Sequence, residues 1–276
     1  MARMFGFIGN RADLGALVLA SSADVLKERR APDQPLGWGI GFYQAGEVLL
    51  RRRPLDDREV IDLAEAADDV RADVLLGHVR LASVGALRTE NTHPFRYRSW
   101  LWAQTGTIAG FSQLRERLLE AQPEFLRRNV RGETDSEIFF YLFLSFLHDA
   151  GHLESAHASF EAISAALRAS IALVDRLSAE EGHGPNGGDI LVSNGERMVA
   201  VHRNGVMAYR VLHGRYDIEG LLGEDMMRKA RIPSLDSTHF TLIVSEATDV
   251  PPSFRSIEGR SLVSLTRTED PVIEPL

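Results

Sequence analysis

Residues 37–51 read Gly37-Trp38-Gly39-Ile40-Gly41-Phe42-Tyr43-Gln44-Ala45-Gly46-Glu47-Val48-Leu49-Leu50-Arg51, and the fold class turns on how these glycines are used. A dinucleotide-binding loop needs Gly-x-Gly-x-x-Gly with a helix directly behind it. Here the spacing differs, and a second apolar run, Val48 to Arg51, follows the turn residue Gly46. The stretch reads as a β-hairpin whose glycines allow close backbone packing. A hairpin joins antiparallel strands.

Working outward, Met4 to Ile8, Val74 to Val79 and Leu101 to Thr105 read as further buried strands. Amphipathic helical patterns follow over Ser112 to Arg128, Thr134 to His148 and Ser155 to Glu181. Thr134 with Glu137 three residues later has the spacing of a capping box. Gly182 to Gly188, with Pro185 inside it, ends the third helix. Strands return at Asp189 to Ser193, Met198 to His202, Val206 to Val211 and Phe240 to Ser245, with Asn194-Gly195 and Asn204-Gly205 as hairpin signals. Strands, then helices, then strands predict an α+β fold of two antiparallel sheets with helices packed on them. Nothing divides the chain, so residues 1–276 are read as one domain.

Composition narrows the function classes. With 31 Lys plus Arg against 39 Asp plus Glu, the formal charge of −8 argues against general nucleic-acid or anionic-membrane binding. There is no cysteine, which excludes a disulfide, a thiolate nucleophile and an iron–sulfur cluster. The start lacks the apolar run of a secretory signal, and Ile138 to Leu147 is too short to span a bilayer. A cytoplasmic location is expected. Removal of Met1 before a small residue would leave Ala2 at the N-terminus.

Several motifs have ordinary explanations. His148-Asp149-Ala150-Gly151-His152 imitates a zinc-protease motif, but Gly151 ends the helix and spoils the geometry. Arg51-Arg52-Arg53 reads as a solvated strand end. Three segments instead gather polar and turn residues at buried strand ends: Gly77 to Ser83, Asn91-Thr92-His93-Pro94-Phe95, and Gly132 to Glu137. Arg80 offers a fork of donors suited to a carboxylate, and Asp135 an acid at a helix start. Together they could hold the two ends of an α-amino acid. No cofactor and no metal are expected.

Seven segments, Met1 to Phe7, Gly37 to Tyr43, Gly77 to Arg80, Asn91 to Phe95, Gly106 to Ile108, Thr134 to Glu137 and Val244 to Ala247, resemble, in order, the class II glutamine amidotransferases. Within that family the chain looks most like the stand-alone bacterial branch related to the ergothioneine-pathway amidohydrolase. The resemblance implies a four-layer αββα sandwich of the N-terminal nucleophile (Ntn) hydrolase type. It implies a glutaminase mechanism in which an N-terminal Cys attacks the side-chain amide of glutamine. Arg80 falls where the family binds the α-carboxylate, Asp135 where it binds the α-ammonium, and Gly106 in the oxyanion hole. His93 belongs to the same substrate-binding set.

Three catalytic positions depart from the family pattern: Ala2 replaces the Cys, Gln104 stands where a His is usual, and Thr105 replaces an oxyanion-hole Asn. Without a nucleophile no acyl-enzyme can form, and loss of the Asn amide alone would cost a factor of about 10² to 10³. The reading is a pseudoenzyme that keeps an amino-acid cleft for glutamine or a glutamyl-like molecule. Its alternatives are an engineered Cys-to-Ala variant of an active glutaminase, another reaction in the same pocket, and a non-catalytic scaffold or regulatory module. A protein partner or a homo-oligomer is left open.

Overall fold

The computed structural model describes residues 3–22, 37–54, 69–80, 85–86, 88–155, 157–230, 234–245 and 249–276, with the backbone alone at Arg80, Lys229 and Ala230. Alternation along β1 (Arg3–Gly9) sets up the layers, since every residue of the strand is buried. Phe5 and Phe7 point to one side, into a cluster with Val18, Leu19 and Ile218. Met4 and Ile8 point to the other, into a cluster with Leu101, Met198 and Ala200. A strand buried on both faces must be sandwiched between two layers.

The first sheet has the order β11 (Arg255–Ser256), β9 (Met207–His213), β10 (His239–Ser245), β1, β4 (Val74–Arg80), β2 (Gly37–Gln44), β3 (Glu47–Arg53). The second runs β13 (Val272–Pro275), β12 (Ser261–Leu265), β8 (Met198–His202), β7 (Ile190–Ser193), β6 (Trp100–Gln104), β5 (Phe95–Tyr97). Neighbouring strands in both are antiparallel. Helices α1 (Gly15–Ser21) and α6 (Gly214–Leu222) cover the outer face of the first sheet. Helices α2 (Phe111–Glu120), α3 (Glu124–Arg127), α4 (Asp135–Asp149) and α5 (Phe160–Glu180) cover the second, and α7 (Glu224–Ala230) follows α6. The four layers are those of the αββα sandwich.

The second sheet repeats the alternation: Trp100 and Trp102 enter the helix side, while Leu101 and Ala103 face the first sheet. Trp102 lies 5.4–5.7 Å, between ring centroids, from Phe139, Phe140 and Phe143 of α4. This aromatic face explains why α4 is buried almost along its whole length.

The hairpin over 37–51 forms as read, with Gln44 opposite Glu47. The expected helix over 112–128 is instead two, because Pro123 supplies no backbone N–H and its ring obstructs the preceding turn. The third helix starts at Phe160, with Ser159 Oγ accepting from Ala162 N–H at 3.3 Å. The capping box is half formed: Thr134 Oγ1 accepts from Glu137 N–H, but the Glu137 carboxylate turns to the N–H groups of Arg131 and Gly132. Asn204-Gly205 is a turn without being a hairpin, since β8 belongs to the second sheet and β9 to the first. Turn chemistry reverses a chain, whereas pairing partners are chosen by burial.

Candidate active site

At the N-terminal end of β1, Arg3 stands opposite Val79 and Met4 opposite His78, and on the far side of β4 Arg80 stands opposite Gly37. Arg3 is only 3% exposed. A guanidinium buried so deeply requires acceptor groups around it. The His78 ring stacks on His93 at 4.2 Å, and His93 meets Phe95 at 4.5 Å. Any Cβ at Gly39 would lie 2.1 Å from the His93 carbonyl oxygen, so only glycine lets the 91–95 turn rest on β2.

From the second sheet comes the segment after β6. The Thr105 N–H donates to the Asp189 carbonyl at 2.9 Å, and Thr105 Oγ1 accepts from the Asp189 N–H at 3.0 Å. Gly106, at φ 81°, lies against Gly188, at φ 93°; a Cβ on Gly188 would fall 2.0 Å from the Thr105 carbonyl oxygen. Asp189 is fully buried and accepts from the Arg203 N–H at 2.8 Å, with His202 Nδ1 at 3.1 Å from the same oxygen. Asn186 Oδ1 accepts from the Ala109 N–H at 2.7 Å, and Arg203 holds Asp175 with both carboxylate oxygens at 2.9 and 3.0 Å. The 105–109 loop is thereby clamped to the 186–189 loop through backbone groups.

Helix α4 closes the arrangement. Asp135, 3% exposed, accepts from the Ile108 N–H at 2.7 Å and from the Ser136 N–H at 2.9 Å. An acid in the first turn suits the positive end of the helix. Asn91 Oδ1 accepts from the Glu133 N–H at 2.8 Å, while its amide donates to the Ala86 carbonyl at 2.9 Å. The 91–95 turn, the 105–109 loop and the start of α4 therefore meet.

Of the residues singled out in the sequence, His93, Thr105, Gly106 and Asp135 sit on these connected segments, and Gln104 is buried beside them at the end of β6. Ala2 and the segment Glu246-Ala247 lie outside the described residues, and Arg80 is placed by its backbone. Sequence reasoning missed Arg3, Asn186 and Asp189; the signal for Arg3 was a cation opening an otherwise apolar strand. Arg52 is a correction, being half-buried and donating to the Thr92 carbonyl at 3.1 Å rather than ending a solvated strand. It lines a cavity of about 550 Å³ with Glu90, Arg131, Glu137 and Tyr141. Burial pushes the Glu137 carboxyl above its ordinary range, opposed by the Arg131 and Gly132 N–H groups and the charge of Arg52. Burial likewise lowers the Arg52 guanidinium.

The sequence profile described as "Glutamine amidotransferases class-II" matches residues 11–260. The chain belongs to the class II glutamine amidotransferases. Among its relatives are a probable glutamine amidotransferase of Saccharomyces cerevisiae, 29% identical over 131 residues, and an uncharacterized protein of Methanocaldococcus jannaschii, 33% identical over 124 residues. These alignments cover 45% and 43% of this chain but only 37% and 32% of the relatives. Among solved structures, a glutamine aminotransferase class-II domain protein from Silicibacter pomeroyi superposes with TM-score 0.60 at 20% identity, covering 99% of this chain and 98% of that one. Glutamine phosphoribosylpyrophosphate amidotransferase from B. subtilis gives TM-score 0.56 at 16% identity, with 99% of this chain on 49% of that one. At these identities the superpositions establish the shared class II amidotransferase fold. Among the described residues, no helix is long and apolar enough to cross a membrane.

Proposed function

We propose that this class II glutamine amidotransferase domain binds glutamine, or a molecule with a glutamyl end, without hydrolysing it. The observation that carries the reading is the lack of any thiol: position 2 is Ala and the 276 residues contain no cysteine. Thr105 is a poor substitute nucleophile, because its hydroxyl already accepts from the Asp189 N–H and, as an internal residue, it has no α-amino group of its own to act as the base that the Ntn mechanism uses. Binding would use Arg80 for the carboxylate and Asp135 for the ammonium, with His93 bordering the cleft and Gly106 turning a backbone N–H toward the amide. Family membership supports glutamine as the ligand class.

A second reading is favoured by Asp135 itself, whose oxygens accept from Ile108 and Ser136. On that reading the residue is a structural tether, and the domain is a scaffold or regulatory module. Calorimetry and melting of the purified chain with glutamine, beside an ammonia-release assay, separate the two. The binding reading expects no ammonia, weak heat, and stabilisation of about 2.7 kcal/mol at a hundredfold excess over Kd, lost in Arg80→Ala. Neither heat nor a melting shift with millimolar glutamine leaves the scaffold. Ammonia release sensitive to Thr105→Val overturns the inactive assignment. Ala2→Cys is expected not to restore turnover, because positions 104 and 105 also depart; restored turnover would identify an engineered variant.

A further inference from the structure

His213 closes β9 and His239 opens β10, directly opposite each other in register, with ring centroids 4.7 Å apart. Asp270, on the connection from β12 to β13, brings Oδ1 to 2.9 Å from His213 Nε2 and 3.6 Å from His239 Nε2. One ligand atom from each residue lies within 4.8 Å of the other two.

The tautomer of a neutral His239 ring is set by its surroundings. Its Nδ1 lies 3.1 Å from the Arg267 carbonyl oxygen, which can only accept, so Nδ1 carries a hydrogen and the neutral ring keeps its lone pair on Nε2. That Nε2 is buried and has no hydrogen-bond partner among the described residues, and it faces a carboxylate oxygen. Two acceptors turned toward each other repel, and a cation between them removes the conflict. A backbone carbonyl on the opposite ring nitrogen is also the usual support of a metal-bound histidine.

We propose that His213, His239 and Asp270 hold a divalent transition-metal ion of the zinc class. Two imidazole nitrogens and a carboxylate oxygen form a donor set that zinc and its first-row neighbours share. Tetrahedral bonds of ~2.1 Å place ligand atoms about 3.4 Å apart, between the 2.9 and 3.6 Å separations of the two pairs that include Asp270. A cavity of about 190 Å³ beside the cluster, walled by Arg210, Asp217, Ser253 and Arg255, gives room for a fourth ligand, and the two arginines favour water or an anion there. The site lies at the far end of β1, where Asn10 and His239 exchange hydrogen bonds, about 20 Å along the strand from Arg3. It serves as a clasp between the first sheet and the β12–β13 connection of the second, separate from amide chemistry.

The test uses the full chain, stripped with chelator and titrated with Zn²⁺ or Co²⁺ alone. One equivalent should bind and raise the melting temperature, and Co²⁺ should develop the visible absorption of a four-coordinate ion. Asp270→Asn and His213→Gln change exposed residues and should keep the far-ultraviolet circular dichroism. Each should weaken binding by roughly a hundredfold or more, beyond the loss of an outer-shell partner, and remove the melting shift. His148→Gln, on α4, should leave binding unchanged. Absence of stoichiometric binding, or binding that survives in both ligand variants, overturns the proposal.

Discussion

The two ends of β1 solve opposite problems with polar residues. At the N-terminal end, Thr105, Asp135, Asn186 and Asp189 are spent on backbone N–H groups, so that loops from both sheets and one helix are held against each other. At the other end, Asn10 and His239 close the strand pair, and three ionisable side chains converge with a buried lone pair unanswered among the described residues. The first end resembles a site whose shape is built by main chain, the second one whose chemistry is built by side chains. Family likeness points to the first. Only residue chemistry points to the second.

The main-chain end should be the more brittle. Gly188→Ala puts a Cβ against the Thr105 carbonyl at positive φ, and a loss of about 3 kcal/mol or more is expected in urea denaturation. A loss under ~1 kcal/mol would show that the 105–109 loop yields easily. Asp135→Ala deprives the Ile108 and Ser136 N–H groups of their acceptor and should cost about 2–4 kcal/mol by the same measurement.

The carboxylates at the two ends should give opposite slopes of stability with pH. Glu137 has a raised folded value, so the folded state holds its proton more tightly; its contribution is full below the ordinary 4.5 and falls as pH rises through the raised value. Glu137→Gln should flatten that slope while costing about 1–2 kcal/mol, since the amide cannot serve both the Arg131 and Gly132 N–H groups. Asp13, near the other end, is held below its ordinary 3.8 by the paired hydrogen bonds of Arg11. Its contribution is present above that value and disappears as pH falls through the lowered one. Asp13→Asn should cost under ~1 kcal/mol at neutral pH, as half-exposed pairs do, and nothing at strongly acid pH. Parallel slopes for Glu137 and Asp13 would break the contrast.

Much of the fold is legible because its layers are made by period-two alternation, as in Met4 to Ile8 and Trp100 to Ala103, and by turn residues such as Gly46 and Gly195. The partner of β9 is not legible, because Asn204-Gly205 states a reversal and says nothing about which sheet receives the next strand. At the candidate active site, the positions carrying ordered motifs, His93, Thr105, Gly106 and Asp135, could be named from sequence. Asn186 and Asp189 could not, since they act through main-chain atoms some 80 residues away, as Asp189 does with Thr105 across 84. The His213, His239 and Asp270 cluster has no local spacing at all; β-sheet register brings the two histidines together and the second sheet supplies the acid.

The position of β1 at the middle of its sheet also governs how the chain can acquire its structure. Its two neighbours differ greatly in sequence distance: β4 is synthesised early, whereas the bond between Asn10 and His239 spans 229 positions. Growing from the ribosome at 5–20 residues per second, the chain exposes an unpaired edge of β1 for on the order of ten to fifty seconds before β10 emerges. The second sheet has nearly local partners in β7 and β8 and can pair as it appears. Such a high contact order makes closure of the first sheet the slow step, and the apolar edge of Phe5 and Phe7 the surface a chaperone would shield meanwhile.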